Sequence, residues 1–181
     1  MKAEGLSTLV ALVEDNPGVL TKVATLFRRR GFNIASLNVG HSEQPGISRM
    51  TIVIEGTGAH IKQCEKHLYK LVEVVKVVDI TNADRVDKEL ALVKIAAHGA
   101  ERSSVVALAQ AFDGEVVDVG RNALIVQLTA SPYTIERFLS LAGDFGVVEL
   151  TRTGLITMAR GDVRRARGPV AARRPGSNHK E

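Results

Sequence analysis

The 181-residue sequence predicts an α+β protein in which one six-element unit, βαββαβ, occurs twice in tandem. Three observations predict this fold. Short runs of β-branched and other apolar residues alternate with segments whose apolar residues recur at helical spacing. Turn sequences rich in Gly, Pro, Asn and Asp separate those segments. The order of elements then restarts after a polar stretch near the middle of the chain, which indicates two small domains.

The first unit, residues 1–81, alternates between strand and helix patterns. Gly31 follows three arginines and is the expected end of the first helix, and Gln44-Pro45-Gly46 predicts a turn between two strands. Cys64 lies on the apolar stripe of the second helix, so we expect a packed core thiol. The predicted elements are a strand over residues 6–13, a helix beginning at Pro17-Gly18, strands over residues 32–41 and 47–55, a helix over residues 59–72 and a strand over residues 74–80.

Residues 82–89 are polar and are predicted to be a linker, after which residues 90–160 repeat the order of the first unit. Both units therefore have the ferredoxin-like order. Residues 161–181 form a basic tail with little to bury, so we expect it to be flexible and to act as a solubilising end rather than a phosphate-binding arm. The elements predicted for the second unit are strands over residues 90–97, 115–119, 123–129 and 147–159 (the last bent near Gly154), a helix over residues 103–112 and a helix beginning at Ser131-Pro132.

The charge balance excludes several classes of function. The formal net charge is +4, but residues 160–181 hold an excess of five basic residues, so the preceding body is nearly neutral and nucleic acid is not an expected partner. No apolar run approaches the roughly 20 residues of a membrane helix, and because a strand pattern begins at Leu6 we expect neither a secretory signal nor a transit peptide. The single cysteine cannot form an internal disulfide, which favours a cytoplasmic protein.

The sequence lacks the common catalytic patterns. It contains no Gly-x-x-x-x-Gly-Lys loop, no His-Glu-x-x-His and no Gly-x-Ser-x-Gly. The five histidines show no spacing typical of metal ligands, and one cysteine excludes a multi-cysteine zinc site. We therefore expect a chain that is not an enzyme and that holds no metal.

The loop over residues 14–20 is the candidate binding site. A helix start offers unpaired N–H groups and a partial positive charge, which suit a small carboxylate, and Gly18 lets a ligand approach the backbone. Asp15 is suited to an ammonium group, so the loop fits a free aliphatic amino acid. The loop alone is equally compatible with a helix that is merely capped by a side chain. The candidate residues here are Asp15, Asn16, Gly18, Val19 and Leu20.

The expected sheet order, 4-1-3-2, indicates how a complete site would be assembled. It places Asp15 and Asn33 at opposite ends of the sheet, about 20 Å apart, so one small ligand can touch both only if they come from two copies of the chain. The second strand is an edge, and residues 33–39 contain neither a charge nor a proline to prevent pairing with another strand. The sequence therefore predicts a homodimer with a ligand between paired sheets.

The first unit resembles an ACT domain, a small amino-acid-sensing module, and residues 5–161 resemble the small regulatory subunits of acetohydroxyacid synthase (acetolactate synthase). The order of the matching segments along the chain makes the resemblance specific. The segments are Leu6 to Leu20 with its Asp-Asn-Pro-Gly-Val-Leu, Arg30-Gly31-Phe32-Asn33-Ile34 with Ser36-Leu37, Ser48-Arg49-Met50-Thr51-Ile52, Lys70-Leu71-Val72, Glu89-Leu90-Ala91-Leu92-Val93-Lys94-Ile95, residues 112–119, and Arg152-Thr153-Gly154 through Arg160-Gly161.

The resemblance implies a non-catalytic chain that binds and activates a catalytic large subunit and confers feedback inhibition by valine. The large subunit would use thiamine diphosphate, FAD and magnesium, none of which is expected to bind this chain. Family members often have Asn where this chain has Asp15. Carried over from the family, the valine contacts fall on Asp15, Gly18, Val19 and Leu20 of one protomer and on Asn33 and Ile34 of the other.

Two other functions are alternatives to this one. The first is a stand-alone ACT sensor that acts on another enzyme or on transcription. The second is an RNA-binding ferredoxin-like module, which needs aromatic side chains on a central strand. The chain has only two Tyr and five Phe, and most of them fall in predicted helices, which disfavours RNA binding.

Overall fold

The computed structural model describes residues 5–56 and 58–161, and these form two βαββαβ units, as predicted. Apart from Gly161, the predicted basic tail lies outside the described residues. No helix within the described ranges is long and apolar enough to cross a membrane. The first unit comprises β1 (Leu6–Glu14), α1 (Val19–Arg30), β2 (Ile34–His41), β3 (Ile47–Glu55), α2 (Ala59–Leu68) and β4 (Val74–Asp79). The second comprises β5 (Arg85–Ala96), α3 (Glu101–Ala111), β6 (Glu115–Val119), β7 (Ala123–Ala130), α4 (Pro132–Ala142), β8 (Val147–Arg152) and β9 (Ile156–Ala159).

The first sheet is antiparallel and has the predicted strand order, β2-β3-β1-β4. Alternate residues of β1 and β3 face the two helices, as the two-residue period of a strand requires. Phe27 of α1 and Cys64 of α2 are buried against them, which confirms the packed thiol. The core on this side is formed mainly by Leu9, Ala11, Val13, Met50, Ile52, Ile54, Val23, Phe27, Ile61, Cys64 and Leu68.

The second sheet repeats this order as β6-β7-β5-β8, and β9 pairs with the first part of β5. Helix α4 begins at Ser131-Pro132 as predicted, and the Ser131 side chain caps it, since its Oγ accepts a hydrogen bond from the Thr134 N–H at 3.1 Å. The predicted bend in the last strand is a break between β8 and β9, at Gly154 with φ +77°. The core of this unit is formed mainly by Ala91, Val93, Ile95, Val105, Ala109, Leu124, Val126, Leu128, Ile135 and Phe138.

The predicted linker over residues 82–89 is wrong for most of its length, because β5 begins at Arg85 rather than at residue 90. Residues 85–88 pair with β9, and the Asp87 side chain bonds both to Arg85 and to that strand. The Asp87 carboxylate accepts a hydrogen bond from the Thr157 hydroxyl at 2.6 Å and forms an ion pair with Arg85. The sequence of this part of β5 is therefore mostly polar, and it contains no apolar run that would predict a strand.

The predicted end of the second helix is also wrong, because α2 stops at Leu68 rather than at residue 72. Tyr69 follows it, and its hydroxyl both donates to the carbonyl and accepts from the N–H of Val77, at 3.1 and 3.0 Å. These bonds to β4 hold the chain after Leu68 in a turn, although the apolar spacing of residues 69–72 predicted that the helix would continue.

The face of the first sheet that points away from the helices is covered by the β5–β9 ribbon. Thr8, Val10, Thr51 and Val53 lie on that face, and all four are buried. Thr157 of β9 is buried as well, and its carbonyl accepts a hydrogen bond from Arg49 Nη2 at 3.0 Å. The two units are therefore joined by packing and not only by the chain.

Candidate functional site

The start of α1 carries no side-chain cap among the described residues. Gly18 is the N-cap residue, with φ +86°, a conformation that glycine adopts without strain. The loop is held by backbone bonds instead: the Asp15 N–H donates to Gly46 O at 2.8 Å, and the Val19 N–H donates to Asn16 O at 3.3 Å. The structure thus excludes the simple explanation of this loop as an Asp15 or Asn16 helix cap.

The space beside Gly18 is open. No heavy atom of the described residues outside the glycine and its chain neighbours lies within 4 Å of the position a Cβ would take. Leu20 is 46% exposed next to it, whereas Val19 is only 4% exposed and packs in the core. A ligand at this helix start would therefore meet backbone groups and the Leu20 side chain, and Val19 would contribute its backbone only.

The Asp15 carboxylate is positioned by the β2–β3 hairpin. The Ser48 hydroxyl donates to its Oδ1 at 3.1 Å, and His41 Nδ1 lies 3.1 Å from its Oδ2. His41 and Ser48 are direct partners across the hairpin, so one pair of residues holds both oxygens. Neither was predicted as a site residue, although the turn at Gln44-Pro45-Gly46 is the signal that brings them opposite each other.

The two asparagines of the predicted site bond to glutamates. Asn16 Nδ2 donates to Glu14 Oε2 at 2.9 Å, and Asn33 Nδ2 donates to Glu55 Oε1 at 2.7 Å. Asn33 and Glu55 are exposed at the other end of the sheet, and Ile34 beside them is half-buried against the core. Glu55 is a further residue that the sequence did not indicate, because only the β2–β3 register places it beside Asn33.

The predicted site residues form two separate groups within one chain. Across β3, Glu14 lies opposite Ile47, while Ile34 lies opposite Ile54, so the two groups are about 20 Å apart. Their separation confirms the expectation that one small ligand cannot touch both groups of a single chain. The structure brings together Asp15, Asn16, Gly18, Val19 and Leu20 at one end and Asn33 and Ile34 at the other.

Charges around the helix start are paired. Lys22 forms an ion pair with Glu73 at the start of β4, and its hydrogen bond lowers the pKa of that carboxyl. Arg49 extends from β3 to the Thr157 carbonyl of β9. Burial lowers its pKa below the ordinary value, although the charge of Glu43 acts in the opposite direction.

Across residues 5–56 and 58–161, no group of three or more His, Cys, Asp or Glu is placed to hold a metal ion.

The corresponding loop of the second unit has a different helix start. Glu101 stands in the first turn of α3, and its Oε2 accepts a hydrogen bond from the His98 N–H at 3.0 Å. A carboxylate of the chain itself thus occupies the end of the helix that attracts anions. Of the first helices of the two units, α1 is therefore the one with an open, positively polarised start.

Two family models match the chain. One is described as an AHAS small subunit-like ACT domain and matches residues 9–76; the other is described as the small subunit of acetolactate synthase and matches residues 88–161.

Curated proteins and a solved structure with the same description are similar over most of their length. A protein of Archaeoglobus fulgidus named as a probable acetolactate synthase small subunit is 44% identical over 155 residues, covering 86% of this chain and 97% of the relative. The acetolactate synthase small subunit of Mycolicibacterium smegmatis is 40% identical, covering 85% and 91%. The crystal structure of the acetolactate synthase small subunit from Thermotoga maritima is 41% identical, with a TM-score of 0.81 over 87% of this chain and 99% of that chain.

Proposed function

The chain belongs to the family of acetolactate synthase small subunits, and from this premise we propose that it binds the catalytic large subunit of acetohydroxyacid synthase, raises its activity and makes it sensitive to valine. Its place is then the cytoplasm, in branched-chain amino acid biosynthesis. The thiamine diphosphate, FAD and magnesium of the reaction are assigned to the large subunit, and this chain supplies regulation rather than catalysis.

The observation that carries the valine proposal is the open start of α1 next to a fixed carboxylate. The N–H groups of the first turn suit the valine carboxylate, and the Asp15 carboxylate suits its ammonium group. Ser48 and His41 occupy two of the roughly four acceptor positions of a carboxylate, which leaves others for the ligand. The exposed Leu20 side chain offers apolar contact for the isopropyl group.

The proposed site is completed by a second copy of the chain. Asn33 and Ile34 lie at the far end of the sheet, so they reach a ligand at Gly18 only from another protomer. Within the described residues β2 pairs on one side only, with β3, and its other edge is available for a strand of the partner. A homodimer paired along β2 therefore provides two equivalent sites.

Regulation follows from linkage in this proposal. Valine that bridges two protomers stabilises one arrangement of the paired sheets over another, and the large subunit binds or is activated differently by the two arrangements. A coupling free energy of about 1–3 kcal/mol produces roughly five-fold to hundredfold modulation. The valine effect and the activation are therefore separable by mutation.

A mixing experiment tests the site between protomers. Gly18→Asp places a carboxylate where that of valine would bind, and Asn33→Ala removes the amide contributed by the partner. In a mixed dimer of the two variants, one site carries both changes and the other carries neither. We expect each variant alone to bind valine ten-fold or more weakly in calorimetry, and the refolded mixture to recover wild-type affinity at about a quarter of its sites.

The outcomes separate the parts of the proposal. A mixture that binds no valine, while wild type does, would show that both residues act within one chain. Titration of wild type with valine, leucine and isoleucine gives selectivity, and reconstitution with the large subunit gives activation. Failure to bind any large subunit would favour a stand-alone sensor.

A further inference from the structure

The strand that begins at Asn33 also contacts the second unit. The Ser36 Oγ accepts a hydrogen bond from the Leu155 N–H at 3.1 Å, and Asn38 Nδ2 donates to the Thr153 carbonyl at 3.4 Å. Gly154 lies between these two contacts, and a Cβ added there would be 2.6 Å from the Ser36 Oγ. The turn over residues 153–155, which we call the 153–155 turn, therefore fits against β2 with no spare room.

A bulge separates the start of β2 from this contact. The pairing of β2 with β3 shifts register between Ile34 and Ser36, while the pairing from Leu37 to His41 is regular. At a bulge the ladder is locally interrupted and the strand bends. A shift of Asn33 or Ile34 is therefore expected to bend the strand at this bulge, directly beside Ser36.

On its other side the 153–155 turn is tied to the second unit. The Thr153 N–H donates to Leu90 O at 3.0 Å, and the Leu90 N–H donates to Thr153 Oγ1 at 3.1 Å. The preceding residue, Arg152, pairs with the buried Glu89 on β5 and with Glu136 on α4. If the turn moves relative to β2, these bonds therefore move β5 and α4 with it.

We propose that the 153–155 turn is the contact through which occupancy of the effector site at the start of β2 changes the C-terminal unit. This inference rests on the proposed effector site and adds the route by which its occupancy is transmitted. Ser36 acts as a positioning residue, because it joins the strand that carries Asn33 and Ile34 to the second unit. Gly154 is required because any side chain would displace the Ser36 hydroxyl from the Leu155 amide.

Hydrogen–deuterium exchange of the full chain with and without valine tests the route. In wild type we expect valine to slow exchange both in residues 15–22 and in residues 153–157, the latter by about five-fold or more. In Ser36→Ala we expect the protection of residues 15–22 to remain and the response of residues 153–157 to disappear. Gly154→Ala, which disturbs the same contact from the other side, is expected to behave alike.

Ser104→Ala, an exposed serine on α3 far from the turn, is the matched control and is expected to respond as wild type. Valine protection of residues 15–22 without any change at residues 153–157 in wild type would overturn the route and leave the effector site standing. A wild-type response of the turn in both Ser36→Ala and Gly154→Ala would overturn it too. No protection in either segment, with no heat of valine binding, would overturn the effector site and the route together.

Discussion

The two units of this chain have the same order of elements and the same order of strands, yet they differ at the start of the first helix. In the first unit that start is Gly18, open and without a side-chain cap among the described residues. In the second unit Glu101 lies in the first turn and bonds to the His98 N–H. In the second unit an acidic side chain of the protein itself thus lies at the positive helix end that the first unit leaves open to an anionic ligand.

The units also differ in the sheet face that points away from the helices. In the first unit this face is buried under the β5–β9 ribbon, and Val10 is only 5% exposed there. The second sheet has no such cover among the described residues, and Leu92 on its helix-free face is 37% exposed. Substitutions at matched places in the two units can therefore test what each difference contributes.

The largest expected effects come from the two phenylalanines at the centres of the cores. Phe27 packs edge-on against Phe32 with ring centroids 5.8 Å apart, and Phe138 packs against Phe112 at 5.6 Å. We expect Phe27→Ala and Phe138→Ala each to lower the free energy of unfolding in urea by about 3–5 kcal/mol. Because the β5–β9 ribbon joins the units, both changes should shift one common transition.

Tyr133→Ala is the control for these two, since Tyr133 is 58% exposed on α4, and its cost should stay below about 1 kcal/mol. Two separate transitions, each moved by only one of the phenylalanine variants, would show that the ribbon does not couple the units.

The next effect concerns the lone thiol, which reports on the first unit only. Burial raises the pKa of Cys64 to about 12, with Glu65 adding to the shift. The thiolate is the reactive form, so at pH 8 only about one thiol in ten thousand is reactive while the unit stays closed. We expect labelling with a disulfide reagent to be slow and to rise about tenfold per pH unit. Fast labelling at pH 8 without unfolding would contradict the packed position.

Gly18→Asp and Gly99→Asp test the comparison of helix starts directly. Both glycines have positive φ and open space beside them, so both substitutions impose similar backbone strain. We expect Gly18→Asp to weaken valine binding by ten-fold to hundredfold, because it adds a negative charge where the ligand carboxylate would lie. Gly99→Asp, in the loop before α3, should leave valine affinity unchanged. Calorimetry measures both, and equal losses would mean that the effect on valine binding is not specific to the start of α1.

The sequence predicted most of the fold because strand and helix periods are local signals. It failed at residues 85–88, where β5 is specified by pairing with residues about 70 positions away, and the polar side chains there gave no strand pattern. The same limit applies to the candidate site. The loop at Gly18 was evident from its own residues, whereas Ser48, His41 and Glu55 enter through the registers of β1, β2 and β3.

The smallest expected effect compares a buried valine on the covered face of the first sheet with an exposed valine on an edge strand of the second. Val10→Thr and Val148→Thr introduce the same hydroxyl with almost no change of shape, at 5% and 63% exposure on β1 and β8. Under the β5–β9 ribbon the hydroxyl loses its water, so we expect Val10→Thr to cost about 1–2 kcal/mol in urea unfolding. Val148→Thr keeps its hydroxyl in water and should change stability by less than about 0.5 kcal/mol. If Val10→Thr is equally harmless, water reaches the first sheet beneath the ribbon, and the packing that joins the two units is looser than the burial of Thr8, Val10 and Thr51 indicates.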